Sequence, residues 1–268
     1  MLRDITIGQY FPGDSLIHRL DPRFKIVMTL VYILMLFTGS HILCLAVGTV
    51  YTVMAIALSG IPLKMFIRSV KPLLPFLVIT AAINLFLVDS GDVLFTWKFV
   101  KITEGGVNIS IFMLVRIVLL IMGSSLLTYT TSPIALTDAI ERLLSPLKKL
   151  RFPVHELAMM MSIALRFIPT LIEETDKIIS AQKARGAEID TGSIVTRAKN
   201  MVSILVPLFI SSFRRADELA TAMECRCYNG GEGRTRLRQL HAGYRDVIAL
   251  TVTLIFYASA ITVSILLK

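Results

Sequence analysis

The sequence predicts an all-α integral membrane protein: five transmembrane helices, with three amphipathic cytoplasmic helices placed between the fourth and the fifth. Three observations carry this. Hydrophobic residues make up 54% of the 268 and charged residues only 18%, whereas a soluble domain carries about 25% charged residues; mean hydropathy is strongly positive. Several uncharged runs are long enough for a hydrocarbon core about 30 Å thick. Finally, His155 to Tyr228 reads as two long amphipathic helices, each closing on a small residue, an arginine and a small residue: Ala184-Arg185-Gly186 and Cys225-Arg226-Cys227.

In chain order, residues 1–23 are polar and turn-rich, with Pro12-Gly13-Asp14-Ser15 and Asp21-Pro22-Arg23 as breakers. Met1 to Gly13 lacks an apolar stretch behind a basic head, so no cleaved signal peptide is expected. Phe24 to Thr38 is the first apolar run, with Lys25 at its foot, and Ile42 to Leu58 is the second. A loop bearing Lys64, Arg68 and Lys71 leads to the third run, Leu73 to Val88. The Asp89–Gly106 loop follows, and its Trp97 suits a membrane interface. Val107 to Leu127 is the fourth run, interrupted by Arg116, and Val247 to Leu267 is the fifth.

Between the last two, Ser132-Pro133 opens a short amphipathic helix that closes on Lys148, Lys149 and Arg151, which suit the negative end of its dipole. Met201 to Phe213 is uncharged, but its thirteen residues cover only roughly 20 Å as a helix. It is therefore read as covered by protein or lying at the membrane surface rather than spanning. Basic residues crowd the segments before the first run, between the second and third, and between the fourth and fifth. The positive-inside rule then places the N-terminus and the 128–246 region in the cytoplasm and Lys268 outside. The expected organisation is residues 1–128 as N-terminal segment and helices one to four, 129–245 as a cytoplasmic domain, and 246–268 as the last span.

The two long helices are the informative part. In the first, Leu157, Met160, Met161, Ala164, Leu165, Ile168, Leu171, Ile172, Ile178 and Ile179 make one apolar face. In the second, Ile194, Val195, Ala198, Met201, Val202, Leu205, Phe209, Phe213, Ala216, Leu219, Ala220 and Met223 do the same. Arg185 falls seven residues after Ile178 and Arg226 seven after Leu219, so each prolongs its stripe. The spacing predicts helices that dock, tip first, onto an acidic pocket. Arginine suits that task because its planar, permanently charged fork holds a carboxylate bidentately. The plainer reading, a cation favouring a helix C-terminus, accounts for about 0.3–1 kcal/mol each but not for the duplication.

Other functions are less well supported. The net charge of +9 comes from basic residues flanking spans, which orientation explains without nucleic acid. Cys44, Cys225 and Cys227 make no disulfide framework, and a lone Cys-x-Cys is a weak metal signal. A membrane-embedded transferase needs clustered acids for a divalent ion, yet Asp138, Glu141, Glu173, Glu174 and Asp176 are dispersed. A conventional permease carrying its own substrate would need a polar pathway that five apolar runs do not display.

Several stretches together resemble a known family, the transmembrane T component of energy-coupling factor transporters. They are Asp14 to Lys25, Thr131-Ser132-Pro133, Leu165-Arg166-Phe167-Ile168-Pro169 and the doubled arginine tripeptide. The resemblance runs nearly end to end. It implies a non-catalytic scaffold in which the three amphipathic helices are coupling helices lying crosswise near the membrane surface. Two cytoplasmic ATPases, which hold the ATP and magnesium, would receive Arg185 and Arg226. A separate small membrane protein, the S component, would capture the vitamin or metal, and this subunit would bind no cofactor of its own. The ATPase-docking set is then Ala184, Arg185, Gly186, Cys225, Arg226 and Cys227, with Glu224 as a local orienter of Arg226.

The second tripeptide departs from the family's Ala-Arg-Gly. Glycine after a helix end supplies the left-handed conformation cheaply, and cysteine does not. The second helix is therefore expected to run on and end at Asn229 or Gly230. Arg116, mid-span, is expected in a buried structural contact, with Asn84 or Ser125 as partners; Pro169 and Pro207 are expected to bend the long helices.

Overall fold

A computed structural model describes residues 10–39, 41–88, 92–97, 100–150, 152–187, 193–230 and 240–266. Nine described helices and one hairpin fall into two compact units: one holds Ile7–Ala139 and Gln239–Lys268, the other Ile140–Arg238.

In the first unit, α1 (Pro22–Thr38) starts on Asp21, whose carboxylate accepts the Arg23 N–H at 2.9 Å, with Pro22 just inside. Proline costs nothing there because a first-turn N–H has no helical partner anyway. Helix α2 (Ile42–Ser59) ends on Gly60 in the left-handed conformation. Then come α3 (Leu63–Val70), a 3-10 turn at Lys71–Leu73 and α4 (Leu74–Leu87). Next is α5 (Glu104–Thr130), capped by the Thr103 hydroxyl, which accepts the Gly106 N–H. Near the other end of the chain lies α9 (Tyr244–Leu266). Helix α5 packs on α1, α2, α3 and α4, while α9 packs on α1 and α2. The core centres on Tyr32, Met35, Leu36, Leu45, Leu119 and Ala260. The Tyr32 hydroxyl donates to the Leu119 carbonyl and pairs with Thr52, both at 2.8 Å. Gly123 lies so close beneath the Tyr32 ring that a Cβ there would collide with it.

Three expectations change. The Lys64–Lys71 segment is helical: α3 turns Phe66 fully inward and leaves Lys64 and Arg68 exposed, so its charges lie on a helix face rather than in a loop. Pro72 interrupts it with the 3-10 turn, because proline offers no N–H. The Asp89–Gly106 loop contains a hairpin, β1 (Val93–Trp97) against β2 (Val100–Thr103), antiparallel with Trp97 opposite Val100 and an irregularity between Val93 and Phe95. The Trp97 side chain lies outside the described part. Arg116 contacts neither suggested partner. Its Nη2 donates to the Gly39 carbonyl at 2.6 Å at the end of α1, and its guanidinium lies over the Phe112 ring at 4.4 Å.

Five described helical stretches are long and apolar enough to cross a bilayer: α2, the continuous Leu63–Phe86 stretch, α5, Val154–Ala184 and α9. The number matches the expectation, but the membership differs by one. Helix α1, at 17 residues, is about 25 Å long and falls just short, although it is packed among α2, α5 and α9. Val154–Ala184 qualifies by length and composition despite carrying Glu156, Arg166, Glu173, Glu174, Asp176, Lys177 and Lys183.

Helix α6 (Pro133–Leu144) starts on Ser132, whose hydroxyl accepts the Ala135 N–H at 3.3 Å, and a 3-10 turn (Ser145–Leu150) follows. The boundary between the units falls within α6. The second unit is built on α7 (Val154–Ala184) and α8 (Ile194–Glu224), which pack on each other and run through Pro169 and Pro207 without interruption. Arg215 Nη2 donates to Glu174 at 2.9 Å and Gln182 Nε2 to the Ser203 carbonyl at 3.3 Å, tying the pair.

Candidate functional site

The two arginine tripeptides sit in matching turns. At the end of α7, the Gly186 N–H donates to the Lys183 carbonyl at 3.0 Å, and the Ala187 N–H reaches back to the Gln182 carbonyl at 3.0 Å. At the end of α8, Cys227 donates to the Glu224 carbonyl at 2.8 Å, and Tyr228 to the Met223 carbonyl at 3.0 Å. This is the same pair of closing bonds, one spanning three residues and one spanning five, that satisfies the last carbonyls of a helix. It requires a left-handed residue, Gly186 at φ 84° in one case and Cys227 at φ 55° in the other. Each arginine directly precedes that residue. Helix α8 therefore stops at Glu224, not at Asn229 or Gly230, and cysteine takes the strained position itself. The sequence reading assumed that the chain would wait for a glycine, but the closing bonds keep the second turn in step with the first.

Both arginines are exposed, as are Ala184, Gly186, Glu224, Cys225 and Cys227. No ion pair joins the Glu224 and Arg226 side chains; the Glu224 contribution is its backbone carbonyl. Arg185 and Arg226 lie in the turns beyond the last helical residues, so the heptad phase ends one or two positions before them.

The α8 stripe is bare from Val195 to Phe213, while Leu219 and Met223, nearest the second tip, are half-buried. Val195, Met201, Val202, Leu205, Phe209 and Phe213 are all at least half exposed, and among the described side chains of α8 Ile204 is the buried apolar one. Met160 and Met161 on α7 are exposed too. Of the two readings of Met201 to Phe213, cover by this chain's own protein is therefore not what is seen. An apolar face this long, uncovered within its unit and rimmed by Arg197, Arg214 and Arg215, has the composition of a surface that meets either lipid or another protein.

The sequence singled out Asp14 to Lys25 without a physical role, and the structure supplies one. The Asp21 N–H donates to Asp246 Oδ1 at 2.7 Å, while the Gly243 N–H holds Oδ2 at 2.7 Å. Lys25 is buried, and its ammonium donates to the carbonyls of His18 (3.1 Å) and Thr130 (2.9 Å). Arg23 grips the Asp21 carboxylate through Nε and Nη2 and reaches the Leu240 carbonyl. His18 is held at both ring nitrogens, with Nε2 donating to the Phe11 carbonyl and Nδ1 accepting from Ser15. The motif thus ties the start of α1 to the end of α5 and the start of α9. No local pattern signals contacts between segments this far apart in the chain.

Comparison with known proteins adds an independent line. A family model described as cobalt transport protein matches residues 13–237. Curated relatives include the energy-coupling factor transporter transmembrane protein EcfT of Ruminiclostridium cellulolyticum, 53% identical over 256 residues and covering 96% of each chain. The protein of the same description from Acidaminococcus fermentans is 53% identical over 257 residues, again 96% of each chain. That from Bacillus subtilis is 44% identical over 259 residues, 97% of each. With spans, motifs and full-length similarity in agreement, this membrane protein belongs to the family of transmembrane components of energy-coupling factor transporters.

Proposed function

We propose that this subunit is a non-catalytic scaffold that couples two cytoplasmic ATPases to a small substrate-binding membrane protein during vitamin or metal uptake. The observation that supports it best is the pair of matching turns, each presenting an exposed arginine at the same step before a left-handed residue. Two copies of one presentation suit two similar receptors. Arg185 enters an acidic groove on one ATPase and Arg226 the equivalent groove on the other. Ala184, Gly186, Cys225 and Cys227 flank the arginines and allow close approach. The bare α8 stripe, with the soft side chains Met160 and Met161, receives the substrate-binding partner through an adaptable apolar contact. The subunit itself holds no cofactor; ATP and magnesium stay with the ATPases.

This reading places the N-terminus and α6 to α8 in the cytoplasm and Lys268 outside, with α1, α2, the Leu63–Phe86 stretch, α5 and α9 as spans. Helix α7 is assigned to the coupling region because its C-terminal half is densely charged and its Glu174 pairs with Arg215 of α8. The test is a topology map combined with co-purification. Reporters after Lys149, Gly192 and Gly231 should all be cytoplasmic and one after Lys268 extracytoplasmic. Opposite sides for Lys149 and Gly192 would make α7 a span, and opposite sides for Gly192 and Gly231 would make α8 one; either sinks the coupling reading. Affinity purification should recover two ATPase subunits and one small membrane protein. Recovery of a substrate-carrying complex without the small partner would favour a conventional permease.

A further inference from the structure

A cavity of about 450 Å³ opens into the first unit between α1, α2, α5 and α9. That size falls within the roughly 300–1,000 Å³ of small-ligand sites. Its lining changes character along α1. At one end are Lys25 and Arg245, next to Thr130 at the close of α5; deeper in, Met28, Tyr32, Met122 and Val252 make an apolar wall. Lys25 and Tyr32 are seven residues apart on one helix, so the Tyr32 part of the lining lies about 10 Å along α1 from Lys25.

The cationic end is built and incompletely satisfied. The Lys25 ammonium has three N–H donors and, among the described residues, uses two, on the His18 and Thr130 carbonyls. Arg245 stacks on Tyr244 and donates Nε to its hydroxyl, and no carboxylate pairs with it among the described residues. The nearby acids are committed elsewhere: Asp21 is gripped by Arg23, and both Asp246 oxygens accept backbone N–H groups. Arg245 is exposed where Lys25 is buried, so it is the more accessible of the two cations that line the cavity.

We infer that this cavity is a binding site for one anionic phospholipid, an acyl chain filling the Met28–Tyr32–Met122–Val252 depth and the headgroup phosphate meeting Arg245 and the spare Lys25 N–H. A basic pocket at the polar end of membrane helices selects such headgroups, whereas an apolar crevice alone would not distinguish them. The lipid would brace the junction where α1, α5 and α9 already share hydrogen bonds.

The experiment uses the full chain, purified in a mild non-ionic detergent, delipidated, and titrated with dioleoyl phosphatidylglycerol or dioleoyl phosphatidylcholine. Bound lipid is read by native mass spectrometry. One phosphatidylglycerol per chain should bind about five-fold or more ahead of phosphatidylcholine. Arg245→Gln should cut that preference to about two-fold or less, weakening phosphatidylglycerol more than phosphatidylcholine, which carries the same phosphate but no net charge. Ala249→Phe, which fills the cavity, should remove both lipids; Val252→Trp is the second filling variant should the first fail to fold. Glycerol 1-phosphate should not compete, because it lacks the acyl chain. The inference is overturned by no headgroup preference in the wild-type chain, by undiminished lipid in a folded cavity-filling variant, or by displacement with glycerol 1-phosphate, which would make this a simple anion site. Loss of the lipid on adding a membrane partner would assign the cavity to a protein helix and overturn it equally.

Discussion

Cys227 and Gly186 occupy equivalent backbone positions at the ends of two different helices, both left-handed and both donating to the carbonyl three residues earlier. A side chain in that conformation costs about 1–2 kcal/mol, a cost glycine avoids. Gly186 has open space around it, so its requirement is conformational and not steric. Cys227→Gly should therefore tighten the second turn by about 1 kcal/mol, and Gly186→Cys should loosen the first by a similar amount. Hydrogen exchange at Tyr228 and Ala187 reads the two turns directly. Unchanged protection in both variants would mean that the closing bonds, and not the residue, decide the geometry.

The arginines themselves should be the sensitive positions. Arg185→Ala or Arg226→Ala should each weaken ATPase binding by about 2–5 kcal/mol, the usual cost of orphaning a desolvated carboxylate. The double change should abolish coupled uptake. Lysine should rescue poorly at either site, since a point charge does not reproduce the fork. Wild-type transport in the double alanine variant would remove the docking role.

On the proposed docking, the cysteines should report occupancy of the second tip. Cys225 and Cys227 are exposed, whereas Cys44 is buried with its Sγ against the Ala260 carbonyl. A membrane-impermeant maleimide should modify two cysteines in the solubilised subunit and neither of those two in the ATPase-bound complex, measured by intact mass. Cys44 should stay unmodified in both. Equal labelling in the two states would show that the ATPases bind elsewhere.

The legibility of this chain in its sequence divides along physical lines. Long uncharged runs betray spans because lipid tolerates little else, so α2, α5 and α9 were plain. Helix α3 was hidden because Lys64 and Arg68 read as loop charges; the single fully inward residue, Phe66, is what marks a helix there. The hairpin was missed because its strands are short and interrupt a polar stretch. At the second tip, the rule that glycine ends helices pointed to Gly230, and local hydrogen bonding overrode it at Cys227. The Asp21–Asp246 contact could not be read at all, since nothing local links an N-cap to an acid 225 positions away. The arginine tips were legible because the pattern occurs twice.

Gly123→Ala should be disproportionately harmful for a single methyl. The Tyr32 ring occupies the space where the new Cβ would sit, and Tyr32 is anchored by Thr52 and the Leu119 carbonyl, so it has little room to yield. Overpacking of this kind costs about 1–3 kcal/mol. A lower detergent-resistant melting temperature is expected, with partial recovery in the Gly123→Ala, Tyr32→Leu double variant. No change in melting would mean that the helices separate more easily than their packing suggests.

The bond from the Asp21 N–H to Asp246 also has a bearing on how the protein is made. At ribosomal speeds of about 5–20 residues per second, the partner of that N–H is synthesised roughly 11–45 s after it. During that interval the start of α1 lacks both the Asp246 carboxylate and the neighbouring Leu240 carbonyl that Arg23 reaches. The nascent bundle is consequently an open clamp, and translation of the final helix is the event that closes it. Truncation ahead of Tyr244 should therefore expose the early helices to membrane quality-control proteases, whatever its effect on the arginine tips.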